Sequence, residues 1–232
     1  MTMPQPETIG TGVRPVEWRH HEPVPFITAR ATEEPPSQQL MRQRSGSRLG
    51  FTDELWIDRH YGVPWMRMPS LRRGEPQFEV VHGLRQRAAM ARMLCQICGG
   101  PTPGTNGKRT LFLVGADGGR PIQEGEPTAS PPVHAACARL AVEHCPPLRR
   151  RWSAALVSRT PVWGVAGLLY DPRTLTEVPG PDGGLHHVPF TDQERLPWIL
   201  ASRLMVTLEN VTPVLDLDDL TDDIVGAAAA AP

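Results

Sequence analysis

Three segments of the chain have the apolar spacing of amphipathic helices. Leu84–Leu94 is rich in strong helix formers and places Leu84 and Ala88 near one face, with its arginines mostly on the other. Val133–Cys145 follows two prolines and ends before two more, which is typical of a helix with defined boundaries. In Arg195–Glu209 leucines recur at every fourth position, so this segment is also predicted to be a helix.

Short apolar runs, bounded by proline, glycine and small polar residues, predict strands between these helices. They are Val63–Met68, Phe78–Val81, Thr110–Gly115, Ala154–Ser158, Val162–Tyr170 and Val211–Leu217. No internal repeat links the strands to the helices. The pattern predicts an α+β fold with a small mixed sheet and helices packed around it.

Composition divides the chain into three parts. Residues 1–49 contain seven prolines by position 36 and few large apolar residues, so we expect an extended, largely disordered arm, with Val24–Ile27 as a candidate docking strand. Residues 50–217 are expected to form one domain. Residues 218–232 are acidic and then alanine-rich, and we expect a loose tail.

Charge and the absence of apolar spans narrow the class of protein. The formal net charge is −1, although residues 40–110 carry 12 basic against 5 acidic side chains and residues 170–232 carry 3 against 11. No apolar run approaches the roughly 20 residues that cross a bilayer, and the first residues lack the features of a signal peptide. A cytoplasmic protein without membrane contact is expected, in which thiols stay reduced and closely spaced cysteines are candidate metal ligands.

The four cysteines are distributed in a pattern that favours a metal site. Cys95 and Cys98 flank two residues and precede two glycines, as in a zinc knuckle. After 35 residues, His134 and Cys137 lie three positions apart at the start of a predicted helix, where they share a face. The sequence therefore predicts a Zn²⁺ site held by Cys95, Cys98, His134 and Cys137. A knuckle, a β segment and a helix that supplies the last two ligands resemble the treble-clef class of zinc modules, here over about residues 93–146.

Two other interpretations of the cysteines remain open. The CQIC motif could be a redox dithiol, although such motifs begin a helix after a strand, whereas here a helix precedes and Gly-Gly-Pro follows. The spacing could also be coincidental. Cys145 faces the same side of its predicted helix as His134 but lies about 16 Å further along, so we expect it to be a buried apolar residue and not a ligand.

Three stretches of the chain, LRQRAAMARMLCQICGGP, PPVHAACARLAVEHCPPLRR and GVAGLLY, support a further comparison. They resemble a group of actinobacterial zinc-binding proteins of the Streptomyces type, with a CQ-x-CG knuckle and a second ligand pair before C-P-x-L-R-R. The similarity spans roughly residues 50–217 and implies a place near specialised-metabolism genes.

Three functional hypotheses follow from these observations. The first is an accessory protein in which zinc holds a surface for a protein partner or a small-molecule substrate. The second is an enzyme in which Cys95, Cys98 or Cys137 transfers sulfur to a small molecule in natural-product biosynthesis, because a zinc-bound thiolate stays nucleophilic. The third is a nucleic-acid-binding regulator that uses the arginines of 85–92 and 149–151. No catalytic residue and no oligomeric state is assigned by the sequence.

Overall fold

The structure is a computed structural model that describes residues 13–43, 46, 48–102, 109–115 and 120–220. The strands are, in chain order, β1 Glu17–Arg19, β2 Glu22–Val24, β3 Thr28–Arg30, β4 Leu40–Arg42, β5 Leu49–Phe51, β6 Arg59–His60, β7 Val63–Pro64, β8 Pro76–Val81, β9 Thr110–Gly115, β10 Pro127–Thr128, β11 Trp152–Val157, β12 Val162–Tyr170, β13 Glu177–Val178, β14 His186–Pro189, β15 Ile199–Thr207 and β16 Thr212–Val214. The α-helices are α1 Gly83–Ala91, α2 Ala135–His144 and α3 Pro146–Arg150. Three short 3-10 turns cover Trp56–Asp58, Pro181–Gly183 and Leu196–Trp198.

The strands form several small sheets, and every strand pair in the described part of the chain is antiparallel. The largest sheet has the order β10-β15-β12-β13, with β14 also paired to β12. A second sheet has the order β16-β11-β9. The α+β class holds, but the expected mixed sheet is replaced by antiparallel ones. The predicted strands 110–115 and 162–170 have the observed bounds.

The β16-β11-β9 sheet is the middle layer of the molecule and is covered on both faces. Phe112 of β9 and Ala155 of β11 point into the larger core, which lies against the five-stranded sheet. Their neighbours Leu111 and Ala154 point the other way, into a smaller core that contains Cys95, Cys98, Cys137 and the buried alanines of α2. Because successive side chains of a strand face opposite sides, the continuous apolar run at 110–115 follows from burial on both.

The segment 195–209 is a strand and not the predicted helix. Its first residues form the short 3-10 turn, and β15 then pairs with β12 along most of its length. Leucines four residues apart share one side of a strand as well as one face of a helix, because four is a multiple of the strand period of two. Burial of Ile199, Leu200 and Ala201 in succession shows a central strand covered on both sides.

Helix α1 packs on β15 with a face that differs from the prediction. Ala89 and Met90 are buried as apolar residues, but so are Arg85 and Gln86, while Ala91 is exposed. The Gln86 amide donates to the carbonyls of Ala129 and Leu204 and accepts from the Leu204 N–H. Its amide group satisfies backbone groups of β15, so a polar residue occupies a position that hydrophobicity alone gives to an apolar one.

The N-terminal segment is part of the folded structure, so the expected disorder of residues 1–49 is wrong for its described part. Val24, Ile27 and Ala29 are buried, and β3 pairs with β8. Prolines remove backbone donors but leave extended segments free to pack, and here the apolar residues between the prolines find a surface. Residues 1–12 lie outside the described part, as does the tail after residue 220. The domain boundaries at 49/50 and 217/218 stay predictions.

A buried ion pair ties this segment to helix α1. The Arg85 guanidinium donates to both carboxylate oxygens of Glu33, at 2.8 and 2.6 Å, and to the Thr28 carbonyl at 2.6 Å. The Glu33 carboxylate also accepts from the backbone N–H groups of Arg30 and Arg72. Burial acts to raise the pKa of Glu33, but these hydrogen bonds and the Arg85 charge outweigh it and hold the pKa at about 2.

No helix in the described ranges is long and apolar enough to cross a membrane.

We expect Glu33→Gln to destabilise the fold by roughly 3 kcal/mol at neutral pH, because it leaves the Arg85 charge buried without its counter-ion. The pKa of Glu33 is lower in the folded than in the unfolded chain, so its ionisation stabilises the fold above the usual value of 4.5, and this contribution is lost as the pH falls from 4.5 towards 2. The variant should lack this part of the pH dependence. Urea unfolding of both proteins at a series of pH values measures it.

The exposed neighbour Glu34 provides the control, since Glu34→Gln removes one negative charge without touching Arg85. Equal loss of stability in the two variants would contradict a special role for the buried pair.

Candidate metal centre

The first half of the centre is a tight turn that follows helix α1. The Cys95 N–H donates to the Gly100 carbonyl at 2.7 Å, and the Gly99 N–H donates to the Cys95 carbonyl at 2.8 Å. The Gly100 N–H points at the Cys98 sulfur at 3.4 Å. These bonds fold residues 95–100 back on themselves, so that both cysteine side chains face the same side.

Gly99 makes this turn possible for two reasons. Its φ is +69°, in the left-handed region that favours glycine. A Cβ at this position would lie 2.7 Å from the Phe26 ring, closer than real contacts allow. The N-terminal segment therefore packs directly on the turn, and the Phe26 N–H also donates to the Ile97 carbonyl at 2.8 Å.

The second half of the centre is the N-terminus of helix α2. His134 is its N-cap residue, and Cys137 lies in its first turn. The Gln96 N–H donates to the Pro132 carbonyl at 2.9 Å, and the Val133 N–H donates to the Leu111 carbonyl at 2.9 Å. These bonds fix the start of α2 between the turn and the edge of β9.

The structure brings together all four residues that the sequence predicted as ligands. The ligand atoms of Cys95, Cys98, His134 and Cys137 lie within 4.8 Å of one another, and all four residues are buried. A tetrahedral zinc ion with Zn–S bonds of about 2.3 Å holds its sulfur ligands about 3.8 Å apart. The cluster has that size, so its donor set and its dimensions fit a metal ion of this kind.

The orientation of His134 leaves one ring nitrogen for the cluster. Its Nδ1 lies 3.3 Å from the Cys98 sulfur, while its Nε2 lies 3.0 Å from the Pro101 carbonyl oxygen. A carbonyl is an acceptor, so Nε2 carries the proton in the neutral ring and Nδ1 presents its lone pair to the cluster. Metal-binding histidines are commonly held in this way by a hydrogen bond at the second nitrogen.

Without a metal ion, the four groups perturb one another strongly. Hydrogen bonds from Cys137 and Cys95 hold the pKa of the Cys98 thiol far below its usual range. Hydrogen bonding to the other two sulfurs, Cys95 first, raises the pKa of Cys137 far above it. Burial acts to lower the pKa of His134, but its contacts with Cys95 and Cys98 raise it to about 10. The centre gathers negative charge on sulfur and recruits protons to balance it, which is the environment that suits a cation.

Cys145 lies outside the cluster, as its position along the helix indicated. It is half-buried at the junction of α2 and α3, so the expectation of full burial is only partly met. Its neighbour His144 contacts the Trp18 ring edge to face at 5.3 Å. Sequence reasoning missed Phe26 as part of the centre's surroundings, although Val24–Ile27 stood out as an apolar docking segment.

Comparisons with known proteins give no relatives: no protein-family model, no curated protein and no solved structure matches the chain.

We expect Gly99→Ala to destabilise the protein by about 2–3 kcal/mol, because it adds backbone strain and displaces the Phe26 ring. Gly62→Ala is the matched control, since Gly62 also has a left-handed φ, of +80°, but nothing lies within 4 Å of its added Cβ. The control isolates the strain, which costs about 1 kcal/mol. Denaturant unfolding of both variants measures the difference, and equal effects would show that the contact with Phe26 contributes nothing.

Proposed function

We propose that the protein binds one zinc ion through Cys95, Cys98, His134 and Cys137, and that this ion holds a surface that binds a partner or a small molecule. The observation that carries the proposal is the convergence of four buried ligand atoms, from two distant parts of the chain, within 4.8 Å. The function is that of a zinc-dependent accessory protein, without chemistry at the metal.

The ligand set favours zinc and favours a structural role. Three thiolates and one imidazole are soft and borderline ligands, which select zinc over magnesium or calcium. Four protein ligands complete the coordination of zinc and leave no position for water or substrate. A turn with two cysteines, an intervening strand and a helix that starts with the other two ligands support a treble-clef-like description of the module.

The surroundings of the cluster indicate what the metal would hold in place. The cysteines lie in the smaller core beside β9, β11 and α2. The turn at 95–100 also carries the backbone bonds to Phe26 and Ile27 of the N-terminal segment. Loss of the ion would therefore release the contacts between helix α2, the turn and this segment together.

One observation favours the sulfur-transfer enzyme as a second candidate. Cys98 is among the residues that line a surface cleft, so one ligand residue of the centre borders a space that a small molecule could enter. A place in actinobacterial specialised metabolism stays a prediction, which the neighbouring genes would test.

The nucleic-acid hypothesis receives less support from the arginines of helix α1. Arg85 is buried and bound to Glu33, and the Arg87 guanidinium lies over the Trp65 ring at 4.6 Å. These two side chains are engaged inside the protein and do not form the open basic surface that a nucleic-acid backbone requires.

We expect the purified protein to contain one zinc ion per chain. Elemental analysis of the full-length protein, after dialysis against metal-free buffer, measures the ratio. Iron in place of zinc, or no stoichiometric metal, would overturn the proposal.

We expect Cys98→Ser to abolish stoichiometric zinc and to lower the stability by several kcal/mol, because zinc binding is coupled to folding. Cys145→Ser is the matched control, and it should keep the zinc and change stability by about 1 kcal/mol or less. Zinc content and thermal unfolding are measured on the same samples. Equal damage from the two substitutions would contradict the ligand assignment.

The two candidate functions differ in what happens to the cysteines. In the accessory protein the mass of the intact chain stays unchanged after incubation with small-molecule substrates. In a sulfur-transfer enzyme, a sulfur atom is lost from the chain, or a covalent adduct forms at Cys95, Cys98 or Cys137. Intact-mass spectrometry with peptide mapping separates the two outcomes.

A further inference from the structure

A cleft of about 330 Å³ lies between the N-terminal strands and the turn that carries the first two cysteines. Its walls include Phe26 on one side and Ile97 and Cys98 on the other. Small-molecule sites in proteins begin at about this volume. The cleft is therefore large enough for a small ligand and borders the proposed zinc centre.

Arginine dominates the charged groups of this cleft. The lining includes Arg14, Arg30, Arg72 and Arg85, against the single carboxylate of Glu17. Glu33 lies behind the wall and binds Arg85. Four guanidinium groups and two carboxylates leave a formal charge of +2 here (4 − 2).

Two of the arginines are fixed by buried contacts. The side chain of Arg30 is 6% exposed, and its Nη2 donates to Glu17 at 2.5 Å. The side chain of Arg85 is also 6% exposed and is held by Glu33. The Arg85 Nε is buried and has no hydrogen-bond partner among the described residues. A buried guanidinium normally finds acceptors for its N–H groups, so this one is available to an additional acceptor.

Arg72 is held beside the cleft by a backbone conformation that few arginines adopt. Its φ is +52°, and its backbone N–H donates to the Glu33 carboxylate at 2.8 Å. Its guanidinium lies over the Phe26 ring, 5.0 Å from the ring centre. Burial lowers the pKa of Arg72, and the nearby charges of Arg85 and Arg30 lower it further. Three cationic groups are thus gathered closely enough to repel one another.

We propose that this cleft binds a small molecule through a phosphate group, held by Arg72 together with Arg30 and Arg85. The proposal names a ligand class for the binding surface of the proposed function, and it rests on that function only in that the zinc centre shapes the wall with Ile97 and Cys98.

The charge and geometry of the cleft favour a phosphate over a carboxylate. A phosphate monoester carries a charge of about −2 near neutral pH, which matches the excess charge of the arginines. Planar guanidinium groups bind its oxygens in pairs, and three arginines around one space suit three or more acceptor oxygens. An acetate-like group has one charge and two oxygens, so it would leave part of the repulsion uncompensated.

Titration calorimetry with inorganic phosphate tests the proposal on the full-length, zinc-loaded protein at low ionic strength. We expect saturable binding of one phosphate per chain, and weaker binding of acetate. Arg72→Gln should reduce the phosphate affinity by about tenfold or more, because it removes a charge-assisted pair of hydrogen bonds.

Two further variants separate the cleft from general surface charge. Arg73→Gln removes the neighbouring charge outside the lining, and it should change the affinity by less than about twofold. Arg14→Gln removes an exposed arginine at the edge of the cleft without affecting a buried contact, and it should weaken binding about two- to fivefold. This variant keeps the test informative if Arg72→Gln fails to fold.

Three results would overturn the proposal: no saturable binding of phosphate, equal affinity in the wild type and in the Arg72 and Arg14 variants, or acetate binding as tightly as phosphate. Elemental analysis of each sample separates this outcome from that of the proposed function. Stoichiometric zinc without phosphate binding rejects only the cleft, whereas phosphate binding without zinc rejects only the metal centre.

Discussion

The convergence of three cysteines and one histidine inside the smaller core is the constraint on which the rest of this structure depends. Their side chains occupy the place of apolar residues between the 95–100 turn, β9 and the start of helix α2. Buried thiolates without a counter-charge are strongly unfavourable. A bound cation turns this set from a defect of the core into its strongest connection, since it links residues far apart in the chain.

The middle sheet explains how such a small site can organise a larger protein. Strands β9 and β11 present alternate residues to the larger core and to the core with the cysteines. A change at the metal centre therefore acts on the same strands that support the five-stranded sheet. The buried pair of Glu33 and Arg85 makes a second connection, between the N-terminal segment and helix α1, which leads directly into the first two cysteines.

The proposed zinc centre and the arginine-lined cleft share one structural element. The 95–100 turn presents its cysteine side chains to the centre and contributes Ile97 and Cys98 to the wall of the cleft. Phe26 packs on Gly99 of this turn and also carries the Arg72 guanidinium. Metal binding and ligand binding would thus be coupled through a few direct contacts, without movement of the sheets.

The sequence by itself determined the ligand candidates, because cysteine and histidine at paired short spacings have few other structural uses. It also determined the strand at 110–115 and the helix that starts near residue 133, since flanking prolines and composition marked them locally. Only the tertiary structure decided between helix and strand for 195–209, because leucines four residues apart satisfy both periods until a neighbouring strand pairs with one of them. It also decided that Arg85 is buried, through Glu33 in a segment that composition marked as disordered. The cleft followed from the same cause: its arginines lie at positions 14, 30, 72 and 85, and only folding brings such distant charges together.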